Sequence, residues 1–437
     1  MKNKMYRSLY QKKLTTPDKA VETVKEGSLL IYGVALAEPP ALLEAFARRL
    51  RSGDMKKLRI LSSLPLKHAI NTVLAPDLAD CVERCSQFVG AGDRGLVHVG
   101  LNDYLPNHFH QMPRLISDFM TVDVAATTVS PMDKSGFFTF GVANDFTSTA
   151  ARCADKLIVE VNENMPRVYG DSLIHISEVD AVVENHVPLI DLPYAIPSPV
   201  DKVIGKTIAG MVPDGATIQL GFGSLPNAVA AFMDDHKDLG IHTEVFCPGM
   251  SDLIKKGVLN GTKKTLHPRK HVFTMAFGDK EMVEFIHDNP SMESYPVSYT
   301  NHPAVIARND RMVSINTVLE VDLFGQANAE FMGGQQFSGT GGQLDFVRGA
   351  FDSKGGKSIL AFDATAREGK VSRIVPRFEE GTMITTPRND THFLVTEFGA
   401  ANLKGKSTRE RALAIIELAH PDFRDDLLRA AEEMYII

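Results

Sequence analysis

The chain has 437 residues, 44% of them hydrophobic and 23% charged, with a formal net charge of -7. That length exceeds one ordinary core and favours two or three domains that need neither disulfide nor metal to stand. The negative balance argues against general nucleic-acid binding, which needs a basic surface, and leaves room for a local basic pocket for a phosphorylated cofactor.

The first residues, Met1 to Lys13, are basic and polar with no apolar run behind them, so neither a secretory signal nor an anchor is expected. No stretch nears the roughly 18 apolar residues of a membrane span. The expectation is a cytoplasmic protein without membrane partners. Four cysteines do not make a disulfide framework in so long a chain. Cys81 and Cys85 would share a helix face at i,i+4, as a metal half-site does, but no second half-site of matching spacing appears and free thiols are the simpler reading.

In chain order, Pro17 to Val24 has a helical pattern. Gly27 to Gly33 reads as a short buried strand entering a glycine turn, and Glu38 to Phe46 as a helix begun at proline. Arg59 to Ser63, Ile116 to Val124, Lys156 to Val161 and Val179 to Val183 read as further strands, with a helix over Leu66 to Leu74. Short apolar strands alternating with helices predict a mostly parallel sheet with helices packed on it. Pro188, Pro193, Pro197 and Pro199 interrupt any regular period, which marks a linker.

Beyond it the pattern repeats. Gly215 to Gly221 has the Gly-to-Gly spacing of Gly27 to Gly33, and each is followed by proline and an Ala/Leu/Phe-rich helix. A second echo pairs Phe119 to Val124 with Val318 to Leu323. Two matches in the same order predict a duplicated α/β domain. The fold expected is two similar open α/β domains with mostly parallel sheets and the active site in the cleft between them: an N-terminal domain over 1–190, a Pro-rich linker over 191–204 and a C-terminal domain over 205–437. Strands are expected at His271 to Phe277, Arg311 to Asn316, Ser358 to Phe362 and Phe393 to Glu397, and helices at Thr408 to Leu418 and Leu427 to Met434.

The chemistry-bearing stretch is Ile241 to Gly249, centred on Glu244. Local sequence alone reads Glu244 as a surface or capping residue. Two glycine-rich segments flank it, Gln219 to Pro226 and Ser338 to Phe346, and glycines at Gly339, Gly341 and Gly342 imply positive φ or close backbone approach to a ligand. The second segment lacks the lysine of a phosphate loop, and Gly221-Phe222-Gly223 lacks the third glycine of a dinucleotide fingerprint. A nicotinamide cofactor is therefore not expected. No Gly-x-Ser-x-Gly elbow supports a serine nucleophile. His108 and His110 lack neighbouring ligands for a metal, and His175 reads as a hydrogen-bonded structural histidine.

Several segments together resemble the acetyl-CoA hydrolase/transferase family, in particular its acetate, butyrate and 4-hydroxybutyrate CoA-transferases. They are Val161 to Pro166 with Gly170-Asp171-Ser172, the Gln219 to Pro226 loop, His242-Thr243-Glu244, Tyr299 to Pro303, Ser338 to Phe346, Val395 to Gly399 and Ala419 to Arg424. The resemblance implies a CoA-transferase that moves CoA between a short-chain acyl-CoA and a free acid, such as acetate, butyrate, 4-hydroxybutyrate, succinate or itaconate. It implies Glu244 as nucleophile through a glutamyl-CoA thioester, Asn301 as side-chain donor and Glu397 as an orienting group. Gln219, Leu220, Gly221, Phe222 and Gly223, with Gly339, Gly341 and Gly342, would bind CoA, and backbone N–H groups at Gly341 or Gly342 suit stabilisation of a carbonyl oxygen. Coenzyme A is then a co-substrate, and no metal, flavin or NAD is expected.

An acyl-CoA hydrolase and a non-catalytic CoA-binding subunit are the alternatives, and a homodimer or homotetramer is expected from base rates. Many members follow the nucleophile with Met-Phe and a Ser-Asp-Gly-like turn. Here Val245-Phe246-Cys247-Pro248-Gly249 stands in that place, so this segment is where substrate choice is expected to differ.

Overall fold

The computed structural model describes residues 2–192 and 195–437; of the linker expected over 191–204, residues 193 and 194 lie outside the described residues, and from Pro199 onward the segment is helix rather than linker, because Pro199 sits in the first turn behind the Ser198 cap. The chain divides into two compact units, Met1–Leu192 with Val272–Thr300, and Pro193–His271 with Asn301–Ile437.

The first unit is built on a seven-stranded parallel sheet. Its strands are β1 (Leu29–Tyr32), β2 (Leu58–Ser62), β3 (Val82–Ser86), β4 (Asp103–Tyr104), β5 (Val124–Val129), β6 (Lys156–Val161) and β7 (Ala181–Glu184), in the order β7-β6-β5-β1-β2-β3-β4. A parallel sheet is covered on both faces, which explains why all six residues of β5 are buried. Alternation sorts them: Val124, Ala126 and Ile158 join one core cluster with Leu30, Leu42 and Phe46, while Ala125, Leu157 and Val159 join another with Phe138 and Ile174. The helix Pro40–Ser52 starts with proline in its first turn and stops at Gly53, whose φ of 81° closes a left-handed cap.

The second unit carries β8 (Thr217–Leu220), β9 (Gly240–Ile241), β10 (Met312–Thr317), β11 (Lys357–Ala361), β12 (Phe393–Thr396) and β13 (Gly399–Asn402), in the order β9-β8-β10-β11-β12-β13. All neighbours are parallel except β12 and β13. The run β12-β11-β10-β8-β9 has the same connectivity as β7-β6-β5-β1-β2, so the two units share a topology. The helix Pro199–Ala209 opens with a capping box between Ser198 and Asp201.

Several expectations change. The helix expected over Leu66 to Leu74 is only Lys67–Ile70, and Val272–Thr300, expected in the C-terminal domain, groups with the first unit. Ile116 to Val124 is not a strand: its first four residues end the helix Met112–Phe119, which has Pro113 in its first turn, and β5 starts only at Val124. Cys85 lies in β3 rather than on a helix, so the i,i+4 pairing with Cys81 does not form; all four cysteines are free. The second echo fails as well, because Phe119 to Val124 leads into β5 and ends on its first residue, whereas Val318 to Leu323 follows β10. The duplication rests on the sheet order and on the first echo.

Candidate active site

Glu244 sits on a tight bend just beyond β9. His242 N–H donates to Ile218 O at 3.2 Å, continuing the β8–β9 ladder by one residue. The chain then turns, and Thr243 Oγ1 donates to Val245 O at 3.0 Å and braces the bend from inside. Its neighbours His242, Thr243, Phe246 and Cys247 are buried, while Glu244 is only half-buried. From behind, the buried Lys264 donates through Nζ to Ile241 O at 2.6 Å and to Lys270 O at 2.8 Å. An ammonium spent on two carbonyls fixes the backbone that carries the bend.

Asn301 stands opposite, fully buried, and its Nδ2 donates to Glu244 Oε2 at 2.6 Å. Gly342 closes the third side. A Cβ at this position would be driven into both Glu244 Oε2 and Asn301 Nδ2, so any side chain here would displace the two groups from each other. The preceding Gly341 has φ of 53°, a left-handed turn that lets the loop come this close. Gly342 is the N-cap of the helix Gln343–Asp352, whose first N–H groups begin there. Glu244, Asn301 and Gly342 thus form one cluster within the second unit.

The other expected residues lie as follows. Leu220 ends β8 and is buried, Gly221 makes only ordinary contacts, Phe222 is about half exposed, and Gly223 has φ of 134° where strand gives way to the helix Ser224–Ala231. The Gln219 side chain is engaged inside the sheet: Nε2 donates to Asn316 Oδ1 at 3.1 Å, and Oε1 accepts from Ile315 N and Asn316 Nδ2, both at 3.2 Å. Glu397 follows β12 and accepts from Ala364 N at 2.9 Å through Oε2. Gly339 is buried in the approach to Gly341. Val245–Phe246 is a short strand that runs into the helix Pro248–Lys255. Burial pushes the Cys247 thiol up to about 11, so it is protonated at neutral pH.

Sequence reasoning missed Lys264 and Glu330. Glu330 is buried, and its carboxylate gathers Thr340, Thr385 and Gln336 beside the glycine loop. A charged residue twelve positions before Gly342 in an otherwise polar-to-glycine run was the available signal.

Comparison with known proteins agrees with this architecture. Models of the acetyl-CoA hydrolase/transferase N-terminal and C-terminal domains match residues 1–191 and 278–431. The solved structure of RipA from Yersinia pestis aligns with a TM-score of 0.96 and 51% identity, covering 99% of this chain and 100% of that one. The 4-hydroxybutyrate coenzyme A transferase of Clostridium kluyveri is 42% identical over 431 residues, which cover 98% of this chain and 100% of the relative. The succinyl-CoA:cyclohexane-1-carboxylate CoA transferase of Geobacter metallireducens is also 42% identical, over 98% of this chain and 97% of its own. By class the chain is a CoA-transferase. It belongs to the acetyl-CoA hydrolase/transferase family. No helix among the described residues is long and apolar enough to cross a membrane.

Proposed function

We propose that the protein exchanges CoA between a short-chain acyl-CoA and a free carboxylic acid, with Glu244 as covalent nucleophile. The observation that carries this reading is the Glu244–Asn301–Gly342 cluster: a half-buried carboxylate whose Oε2 accepts the Asn301 N–H and packs against the side of Gly342 where a Cβ would stand. A Glu244 oxygen attacks the thioester carbonyl, the C–S bond breaks and CoA thiolate leaves, giving a mixed anhydride. The thiolate then attacks the Glu244 carbonyl, the first acid departs as its carboxylate, and a glutamyl-CoA thioester remains. An incoming carboxylate attacks that thioester and expels the thiolate, which attacks the new acyl carbonyl and frees Glu244. Coenzyme A is a co-substrate throughout, and the sequence is ping-pong.

Each tetrahedral stage places negative charge on a carbonyl oxygen, and Asn301 Nδ2 with the backbone around Gly341 and Gly342 supplies the donors; one such donor is worth about 3 kcal/mol. A carboxylate attacks thioesters poorly in water, so the binding energy of CoA is spent on alignment and exclusion of water. In this reading the Gln219 to Gly223 turn borders the CoA arm, Glu397 orients the pocket, and Val245 to Gly249 tunes the acid accepted. The enzyme works in the cytoplasm as a homodimer or homotetramer, the commonest kinds of assembly.

The test is a screen of acetyl-, butyryl-, 4-hydroxybutyryl- and succinyl-CoA against acetate, butyrate, 4-hydroxybutyrate, succinate and itaconate. Formation of the new acyl-CoA in proportion to acceptor acid is expected. Release of free CoA at a rate indifferent to every acid would instead make the protein a hydrolase.

A further inference from the structure

The glycine loop faces a mechanical problem. Gly341 and Gly342 have no side chains to pack and Gly341 is in a left-handed turn, so beyond the helix bond from Phe346 N to Gly342 O at 3.0 Å they add nothing of their own that fixes where their N–H groups point. The residues on either side supply the missing constraint. Thr340 Oγ1 donates to the Glu330 carboxylate, 3.1 Å from Oε1 and 3.3 Å from Oε2. Gln343 Nε2 donates to Thr386 Oγ1 at 2.9 Å. Both ties lead to one place, because Thr385 Oγ1 also donates to Glu330 Oε1 at 3.0 Å and accepts from Ala329 N at 2.9 Å.

Glu330 closes the loop's stem as well. Its carbonyl accepts from Phe337 N at 2.7 Å and Ser338 N at 3.1 Å. Gln336 Nε2 bridges Glu330 Oε2 at 3.0 Å and Ser338 O at 3.1 Å. Two hydroxyls and an amide N–H therefore converge on a carboxylate that is 6% exposed. An amide side chain would present its own N–H₂ to one of these donors.

We propose that Glu330 is a positioning residue for CoA transfer: by holding Thr340 and the loop stem against the Thr385–Thr386 segment, it sets Gly341 and Gly342 at the distance from Glu244 and Asn301 that the reaction needs. Glu330 does not touch the reacting atoms; it acts through the loop. The proposal rests on the reading of Glu244 as nucleophile, and it assigns the network a catalytic purpose rather than stability alone.

The experiment compares Glu330→Ala, Glu330→Gln, Thr340→Val and the Glu330→Ala/Thr340→Val double variant of the full chain, using the fastest donor–acceptor pair of the screen above. A loop displaced by about 1 Å lowers kcat of Glu330→Ala by about 100-fold, while KM for the acceptor acid stays within roughly threefold because ground-state binding is little changed. Glu330→Gln, which keeps one acceptor for the two hydroxyls, falls between it and the wild type. The double variant is no slower than the worse single one, since both remove the same tie. Full kcat in a folded Glu330→Ala, or losses that multiply in the double variant, would overturn the proposal.

Should Glu330→Ala fail to give a cooperative melt, Thr340→Val loses a single hydroxyl and decides in its place: a wild-type kcat overturns the proposal, a lowered one supports it. Borohydride trapping separates the two layers. Slower trapping to the same final yield in Glu330→Ala supports a positioning role, whereas no trapping in the wild type contradicts the thioester reading and leaves the kcat comparison to judge Glu330.

Discussion

Asn301 Nδ2 lies 2.6 Å from Glu244 Oε2, and the two residues are brought together from positions 57 apart in sequence. In the proposed reaction this amide holds one Glu244 oxygen and stands where oxyanion charge would develop. Asn301→Ala is expected to lower kcat by about 10² to 10³-fold, the usual cost of losing one such donor, with KM nearly unchanged. Asn301→Asp replaces a donor by a second carboxylate and is expected to be worse. Steady-state kinetics over both variants check this.

Gly342 gives a sharper steric test. A methyl group there would collide with Glu244 and Asn301 together, so Gly342→Ala is expected to abolish turnover while the melt stays cooperative. Gly221→Ala, whose Cβ would meet neighbours at 3.6 Å, is expected to retain most activity. Equal activity of the two variants would contradict the placement of Gly342.

Cys247 is buried behind the nucleophile and its thiol is pushed up to about 11 by that burial. Native protein is expected to expose Cys153 to a thiol reagent at once and to withhold Cys247 until it unfolds, because reactivity follows the thiolate fraction and access. Labelling followed by peptide mass analysis reads both sites.

The first unit carries a pH signature. Glu38 is buried, accepts from Leu66 N at 2.6 Å and Ala69 N at 3.2 Å, and has its carboxyl pushed up to about 8; burial outweighs the backbone donors that pull it down. The folded state therefore binds its proton more tightly than the unfolded chain. The contribution to stability is full below the unfolded value of 4.5 and is lost as pH rises through about 8. Buried Glu160 and Asp145, raised to about 7 and about 6, add slopes of the same sign. Glu38→Gln is expected to flatten, without abolishing, the fall in melting temperature from about pH 5 to about pH 8.

Much of this was legible from sequence where a local pattern carries the physics. Buried β1 and β6 read as strands because both faces of a parallel sheet are apolar, and the Gly-to-Gly spacing exposed the shared topology of the two units. Glu244, Asn301 and Gly342 were named, yet only coordinates bring them into one cluster. Met112–Phe119 misled because a short apolar run with a proline suits either element until its packing is known. Cys81 and Cys85 at i,i+4 fit a helix as readily as a strand end. Glu330 offered only its charge in a glycine-rich run as a signal; its role needs Gln336, Thr340 and Thr385 to converge, and no spacing in sequence announces that.

The central claim is the covalent step at Glu244. Glu244→Asp, which withdraws the carboxylate by one methylene, is expected to lose at least about 100-fold in kcat with an unchanged far-ultraviolet circular dichroism spectrum. The direct measurement is borohydride reduction of enzyme loaded with acyl-CoA, followed by mass analysis of the peptide that spans Ile241 to Gly249. The account predicts inactivation with Glu244 reduced to its alcohol, and neither trapping nor turnover in Glu244→Ala. Full turnover in Glu244→Ala, or a reduced residue elsewhere in the chain, would contradict it.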